Sequence, residues 1–477
     1  MSAAEELTRL TAVEAVARLK RREVSPLELV DAAAMRIEFA DGPINALPLR
    51  FFDRARAMAR QFKARSGDAE RPGWLAGLPI AVKDYNDVEG QRTTYGSPIY
   101  AHHVAAHSDA TVLALEASGA IPIAKSNVPE FAGANTFNPV YGATRNPWNL
   151  ERSAGGSSGG SAAALAAGMV WLATGNDLGG SLRIPASFCG VVGMRPSVGR
   201  VRRPAANPSF DALWVEGPMG RTVADVALML DAESGQDAGD PWSKPAPAVP
   251  FFRAATAPEA PRRVAFSADL GLSEVDPEVA EICRQGARRF GGAGTEVVEA
   301  CPDLAGALDA FQTLRALMFA SVRGELLADH KSEIAPEIVW NLDKGMNLTA
   351  EQILRAERCR MRIYRSVVDF FARHDVLACP TVAVAPFPVA QRFPTEIGGK
   401  KLTSYIDWMF LTFVITLTGC PAISVPCGFT KSGLPIGLQL VGRPHGDFDL
   451  LSAAAVLERA CGDLWKQLPI EGKGTLR

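Results

Sequence analysis

The stretch from residue 153 to residue 183 constrains the fold of this chain more than any other part of the sequence. Two serine-containing glycine-rich segments, GGSSGG at 155–160 and DLGGSLR at 177–183, enclose an alanine-rich run at 161–167. The alanine run predicts a helix that ends at Gly168, and the apolar residues 169–173 predict a buried strand. The sequence therefore predicts that two serine-bearing loops flank one helix-strand unit.

Alternating strand and helix patterns extend along the rest of the chain. Further segments that are predicted to be strands occupy residues 78–82, 121–124, 264–266, 296–298, 376–382, 422–425 and 435–441. Such alternation favours helices packed on a sheet that is at least partly parallel. We therefore predict an α/β fold in which helices cover both faces of a central mixed, twisted β-sheet.

The domain organisation follows from a shift in composition. Residues 233–261 are rich in proline and alanine, which predicts a long surface connection. We expect a single domain over 1–477, with a catalytic core at 1–232. A variable helical region that shapes the substrate site is expected at 233–378, and a C-terminal return to the core sheet at 379–477.

Composition excludes several classes of function. A net charge of −2 supplies no basic surface for nucleic acid or membranes, and the N-terminus lacks the apolar core of a secretion signal. The apolar run at 409–417 is too short to span a bilayer, so we expect a cytoplasmic protein. The 8 cysteines and 6 histidines form no metal-binding pattern, which predicts reduced thiols and no metal.

The two serine loops do not match the common nucleotide or hydrolase motifs. Neither loop has the GxxxxGK[ST] or GxGxxG pattern of phosphate binding, and the GxSxG elbow of lipases is missing. Either loop alone would most often be a tight structural turn. Together with Lys83 at the end of a predicted upstream strand, they supply a nucleophile, a second hydroxyl and an amine base, as acyl transfer requires.

Four segments carry a resemblance to a known family. They are GGSSGGSAAA at 155–164, GNDLGGSLRIPA at 175–186, GAIPIAKSN at 119–127 and GLPIGLQLVG at 433–442. In these motifs the chain resembles the amidase signature family of serine hydrolases from the predicted helix after Ser25 to residue 442. The resemblance implies the amidase signature fold and cleavage of a carboxamide C–N bond without a cofactor. The implied partners are a small amide substrate and water, and a homodimer is compatible with the sequence.

The resemblance also assigns roles to individual residues. It implies that Lys83 is the base, Ser157 the bridging serine after a cis Gly156–Ser157 peptide, and Ser181 the nucleophile that forms an acyl-enzyme. The backbone N–H groups of four residues would form the oxyanion hole: Leu178, Gly179, Gly180 and Ser181. Free lysine titrates near pH 10.4, so a neutral base at pH 7–8 needs a pKa lowered by about 3 units, which burial can supply.

Four other residues near the predicted site have simpler interpretations. Asp177 and Arg183 are expected to pair and hold the loop, and Ser158 is expected to hydrogen-bond within the site. Cys189 is an alternative nucleophile by position alone, but a small buried thiol beside an aromatic residue is the more common case.

The substrate is less constrained by the sequence than the chemistry. The candidate substrate-binding residues are Phe131, Asn135, Phe137, Tyr141, Met318 and Trp408, with Trp214, Phe319, Trp340 and Phe410 as further candidates. Each aromatic residue taken alone is more often part of a core. If several line one pocket, aryl or hydrophobic amides, anilides or carbamates are the expected substrates.

Two alternative functions stay open. The first is the catalytic subunit of a tRNA-dependent amidotransferase, although VPEF at 128–131 differs from the Met-Asp-Glu-Phe that such subunits tend to carry. The second is a non-catalytic binding protein that has kept the fold, against which the retained Lys83, Ser157 and Ser181 argue.

Overall fold

The computed structural model describes residues 3–204, 210–462, 464 and 469. The helices in this part of the chain are α1 (Ala3–Arg9), α2 (Ala12–Lys20), α3 (Pro26–Ile44), α4 (Phe52–Gln61), α5 (Ala110–Ala117), α6 (Gly159–Ala166), α7 (Arg183–Cys189), α8 (Val223–Glu233), α9 (Phe251–Thr256), α10 (Pro277–Arg288), α11 (Ala307–Arg323), α12 (Leu326–Asp329), α13 (Pro336–Met346), α14 (Ala350–Phe371), α15 (Phe410–Thr418) and α16 (Asp447–Cys461). The strands are β1 (Leu49–Arg50), β2 (Pro79–Lys83), β3 (Ile121–Ser126), β4 (Phe137–Asn138), β5 (Gly142–Ala143), β6 (Arg145–Asn146), β7 (Asn149–Ser153), β8 (Leu172–Asp177), β9 (Val192–Arg195), β10 (Val215–Gly220), β11 (Arg263–Phe266), β12 (Glu296–Glu299), β13 (Val376–Pro380), β14 (Glu396–Ile397), β15 (Lys400–Lys401), β16 (Ala422–Phe429) and β17 (Pro435–Gly442).

One large sheet organises the molecule. Its 11 strands run in the order β1-β3-β2-β8-β10-β9-β16-β17-β13-β11-β12. Strand β2 is parallel to β3 and β8, and β11 is parallel to β12 and β13, whereas the intervening pairs are antiparallel. Helices flank the sheet, so the predicted α/β fold with a central mixed sheet is confirmed.

Strand β8 differs from its predicted position. It begins at Leu172 rather than at residue 169 and continues to Asp177, because it pairs along its whole length with β10, from Leu172↔Gly220 to Asp177↔Val215. Strand β10 was not predicted, since its sequence VEGPMG contains two glycines and a proline. As a result Asp177, expected in a loop, ends a strand, and the second serine loop starts at Leu178.

The proline-rich segment at 233–261 is more than a surface connection. It contains α9, whose Phe251 is buried. The Asp231 carboxylate of α8 accepts hydrogen bonds from the backbone N–H groups of Phe251 at 2.7 Å and Phe252 at 2.9 Å. These hydrogen bonds cap the N-terminus of α9 and fix it beside α8. Pro247 and Pro250 lie just before this helix in the sequence.

The helical region after β12 covers the serine loops. Helices α11, α13, α14 and α15 share one apolar core with the residues around Phe131, Leu178 and Ile184. The region at 233–378 also contains strands, because β11 and β12 join the main sheet. Within the described residues, no helix is both long enough and apolar enough to cross a membrane.

Candidate active site

Lys83 is the last residue of β2, which lies between β3 and β8 in the sheet. Its side chain is completely buried. Its Nζ lies 2.8 Å from Ser157 Oγ, 2.7 Å from Ser158 Oγ and 2.6 Å from Asn176 Oδ1. The Lys83 backbone N–H donates to Thr174 Oγ1 at 2.8 Å. The amine is therefore held by both residues of the double serine and by the strand that precedes Ser181.

The three partners of Lys83 fit an uncharged amine. Asn176 Oδ1 can only accept, so Nζ must donate to it, whereas each serine hydroxyl can donate or accept. A neutral amine has two N–H bonds and one lone pair. It can donate to Asn176 and to one serine while the other serine donates into the lone pair. In that neutral form, the donating serine would direct its hydroxyl proton at a basic nitrogen.

Burial sets the ionisation of this site. Burial lowers the pKa of Lys83 well below its usual range, and the more distant carboxyls of Glu216 and Asp177 oppose this only in part. Burial also raises the pKa of Glu216 to about 7, although Trp214 Nε1 donates to its Oε1 at 2.9 Å. A buried charge without a close counter-charge is costly, so both groups are driven toward their neutral forms.

The two serine loops are joined by direct contacts. The Gly156–Ser157 peptide is cis, as the resemblance implies. The Ser158 N–H donates to the Ser181 carbonyl at 3.2 Å. Ser157 and Ser181 line the same small cleft, of about 20 Å³, together with Asn176, Leu178 and Gly179. The fold thus brings the predicted nucleophile and the predicted bridging serine into one site.

A buried ion pair holds the loop that carries Ser181. Asp177 Oδ1 accepts from Arg183 Nη2 at 2.8 Å, and Oδ2 accepts from Arg183 Nε at 2.9 Å. The same carboxylate accepts from the N–H groups of Gly180 at 3.0 Å and Leu182 at 3.2 Å. Burial alone would raise the pKa of Asp177, but the two arginines Arg183 and Arg195 outweigh it and lower this pKa to about 2. The predicted pairing of Asp177 with Arg183 is confirmed.

Helix α15 fixes the conformation of the two glycines before Ser181. Gly180 has φ +122, and an added Cβ would lie 2.2 Å from Thr412 Oγ1. That hydroxyl donates to the Gly179 carbonyl at 2.7 Å. Only glycine fits this position, because both the backbone conformation and the available space exclude a side chain.

Several predicted substrate-binding residues line cavities next to the cleft. Phe131 and Met318 line a small aromatic cavity of about 40 Å³, together with Tyr85, Tyr95, Ala132, Trp214, Phe319, Val322 and Arg323. Trp214 and Ala132 also line the cleft that contains Ser181, so the two spaces adjoin. Asn135 and Phe137 line a larger cavity of about 330 Å³, which meets the same cleft at Gly133 and Ala134.

Two other candidates have different surroundings. Trp408 is fully buried and packs against the rings of Phe188 and Phe387. The backbone carbonyl of Tyr141 accepts from Asn45 Nδ2 at 2.6 Å. Neither residue belongs to the described linings of the catalytic cleft, the aromatic cavity or the larger cavity.

The thiol of Cys189 lies in the protein core. It is fully buried, lies 3.6 Å from the Ala154 carbonyl, and has a pKa that burial raises. A thiol of this kind is rarely ionised and is a poor nucleophile.

Asn176 and Arg315 are site residues that were not predicted from the sequence. Asn176 had a partial signal, because alternation along a strand places residues 174 and 176 on the same side of the sheet. The structure shows that both side chains contact Lys83. Arg315 had no such signal, because it lies on α11, more than 130 positions from Ser181 in the sequence, and reaches the cleft only through helix packing.

Known proteins are similar to this chain in sequence and in architecture. A family profile described as Amidase matches residues 28–451. An acylamidase of Rhodococcus erythropolis is 35% identical over 456 residues, covering 94% of this chain and 95% of that protein. A glutamyl-tRNA(Gln) amidotransferase subunit of Moorella thermoacetica is 36% identical over 481 residues, covering 95% of this chain and 97% of that protein. The crystal structure of a bacterial aryl acylamidase of the amidase signature family superimposes with a TM-score of 0.88 at 29% identity, covering 96% of this chain and 98% of that one.

Proposed function

The chain belongs to the amidase signature family of hydrolases that act on amides, and we propose that it cleaves linear carboxamides through an acyl-enzyme on Ser181. The observation that carries this proposal is the buried Lys83 amine, 2.8 Å from Ser157 Oγ, in a cleft that Ser157 shares with Ser181. No histidine is needed, because a neutral lysine can serve as the base.

Each side chain has one role in the proposed reaction. Ser181 Oγ attacks the amide carbon while its proton passes to Ser157 Oγ, and the Ser157 proton passes to Lys83 Nζ. The tetrahedral intermediate collapses with the proton returning through Ser157 to the leaving amine. Water then enters, and the same relay deprotonates it for attack on the acyl-enzyme. The acid product is released and the free Ser181 hydroxyl is restored.

The backbone of the Ser181 loop would stabilise the oxyanion. Leu178 and Gly179 line the cleft beside Ser181, and glycine allows the peptide to come close to the substrate. The N–H of Gly180 already donates to Asp177, so we assign the first role to the N–H groups of Leu178, Gly179 and Ser181 and a shared one to Gly180.

The substrate class we propose is an aryl or hydrophobic amide, anilide or carbamate. Phe131, Trp214, Met318 and Phe319 line one cavity next to the catalytic cleft. Trp214 borders both spaces and can contact the part of the substrate nearest the scissile bond. Apolar linings with a few polar groups are typical of small-molecule sites.

A labelling experiment combined with a substrate panel tests this function. A fluorophosphonate probe should label the purified protein at Ser181, and Ser181→Ala should abolish both labelling and hydrolysis while the far-UV circular dichroism spectrum stays unchanged. Acetanilide-type substrates should be hydrolysed faster than small polar amides such as malonamide. Labelling that persists in Ser181→Ala would refute the nucleophile, and equal or better turnover of malonamide would refute the substrate class.

The second candidate function is the amidating component of a tRNA-dependent amidotransferase. The observation in its favour is the 36% identity with the Moorella thermoacetica protein. Stable co-purification with small partner proteins, and amidase activity that depends on them, would support it. Efficient hydrolysis of anilides by the isolated chain would count against it.

A further inference from the structure

A buried arginine faces the catalytic cleft without an acidic partner. Arg315 lies on α11 and is only 3% exposed, and it lines the cleft that contains Ser181, Leu178 and Gly179. Its Nη1 donates to Asn341 Oδ1 at 2.7 Å, and its Nη2 donates to Tyr405 Oη at 2.6 Å. Both partners are neutral groups.

Among the described residues, no carboxylate oxygen lies within 4.0 Å of the Arg315 guanidinium. The guanidinium lies over the rings of Phe319 at 4.5 Å and Tyr405 at 5.3 Å. Glu337 is close enough to Tyr405, the partner of Arg315, to act on it electrostatically. Its carboxylate is already paired with Arg392 at 2.8 Å. Arg183 contrasts with Arg315, because its buried charge is matched by Asp177.

Charges as buried as that of Arg315 are normally paired, and arginine stays protonated at all physiological pH values. A guanidinium has five N–H donors, of which Asn341 and Tyr405 use two. The remaining donors can bind a carboxylate. The adjacent Asn341 is also fully buried, and its Nδ2 has no hydrogen-bond partner among the described residues. Arg315 therefore retains unused donor capacity at the wall of the cleft.

We propose that the substrate of this enzyme carries a carboxylate, which Arg315 binds while Ser181 attacks the amide. This inference rests on the proposed amidase function and narrows its substrate class from apolar amides to amido acids with an apolar or aryl portion. The apolar portion occupies the aromatic cavity beside Trp214, and the carboxylate supplies the counter-charge that Arg315 lacks in the protein itself.

Matched substrate pairs test this inference in the wild-type protein. Glutaranilic acid with pentananilide places the carboxylate on the acyl side, and 4-acetamidobenzoate with 4-methylacetanilide places it on the amine side. In at least one pair, kcat/KM for the acid should exceed that for the neutral compound by about tenfold or more, as charge-assisted hydrogen bonds imply. If the neutral member is preferred in both pairs, the inference is wrong while the amidase function stands. If no compound is hydrolysed in a Ser181-dependent way, the proposed function itself fails.

Variants identify the residue responsible for the preference. Arg315→Met, which keeps an unbranched apolar stem and removes the guanidinium, should lower the acid-to-neutral ratio of kcat/KM about tenfold or more, mainly through KM. Arg315→Lys should restore part of that ratio, because it restores the charge without the planar fork. Arg362→Met is the control. It removes an exposed arginine of α14 that pairs with Asp303, and it should leave the ratio unchanged. A ratio in Arg315→Met and Arg315→Lys equal to that of the wild type would overturn the assignment.

Discussion

Replacing Asn176 with aspartate changes the charge beside the proposed base with almost no change in shape. Asn176 Oδ1 lies 2.6 Å from Lys83 Nζ, and Asn176 Nδ2 is buried without a hydrogen-bond partner among the described residues. Exchanging the NH₂ group for oxygen therefore breaks no hydrogen bond of the protein. The new carboxylate would face Lys83 directly and would favour its ammonium form.

The size of the effect follows from this contact. An opposite charge within about 4–6 Å shifts a pKa by about 1–3 units toward the charged form. Burial lowers the pKa of Lys83 in the wild type, and Asn176→Asp should raise it again. A base acts only when neutral, so the rising limb of kcat/KM against pH should move up by about 1–3 pH units. Below the limb each unit is a tenfold loss of the neutral form, so activity there falls about 10- to 1000-fold.

The assay is the pH dependence of kcat/KM from pH 5 to 10 with a neutral anilide that does not itself titrate. Activity of Asn176→Asp should recover at high pH, where the amine is again neutral. Asn176→Leu is the matched control, because it removes the same acceptor without adding charge and should not move the limb upward. Two results would refute the role of Lys83 as the base. One is a rising limb of kcat/KM against pH that lies at the same pH in Asn176→Asp as in the wild type. The other is an upward shift of that limb in Asn176→Leu as large as in Asn176→Asp.

Three further variants examine neighbouring parts of the site. Lys83→Met should lower kcat about 10²- to 10⁴-fold in steady-state kinetics, because general-base catalysis is lost, and a near-wild-type rate would contradict the relay. Cys189→Ala should keep both hydrolysis and fluorophosphonate labelling, because the thiol is buried with a raised pKa, and loss of labelling in a folded variant would reopen the cysteine alternative. Gly180→Ala should lower the melting temperature and abolish turnover, since its Cβ would lie 2.2 Å from Thr412 Oγ1. Gly179→Ala is its steric control, with the nearest atom at 3.5 Å, and equal melting temperatures for these two variants would argue against the steric reasoning.

The local parts of the site could be predicted from the order of the amino acids alone. Glycine-rich loops, a helix of small residues and apolar strands are local patterns, so they predicted the α/β class and the elements that carry Lys83, Ser157 and Ser181. The pairing of Asp177 with Arg183 was also predictable, because six positions of chain allow the two side chains to meet across one turn.

The surroundings of these parts depend on contacts between distant segments of the chain. Strand β10 was not predicted because its glycines and proline are untypical of strands. It is stabilised by pairing with β8 and β9. Thr412 and Arg315 reach the Ser181 loop from helices far along the chain, and Trp408 is a core residue because Phe188 and Phe387 enclose it. Long-range packing of this kind leaves no periodic trace in the sequence. The same packing removes Lys83 from water, and this loss of solvation, which no local motif encodes, is what lowers the pKa of its amine.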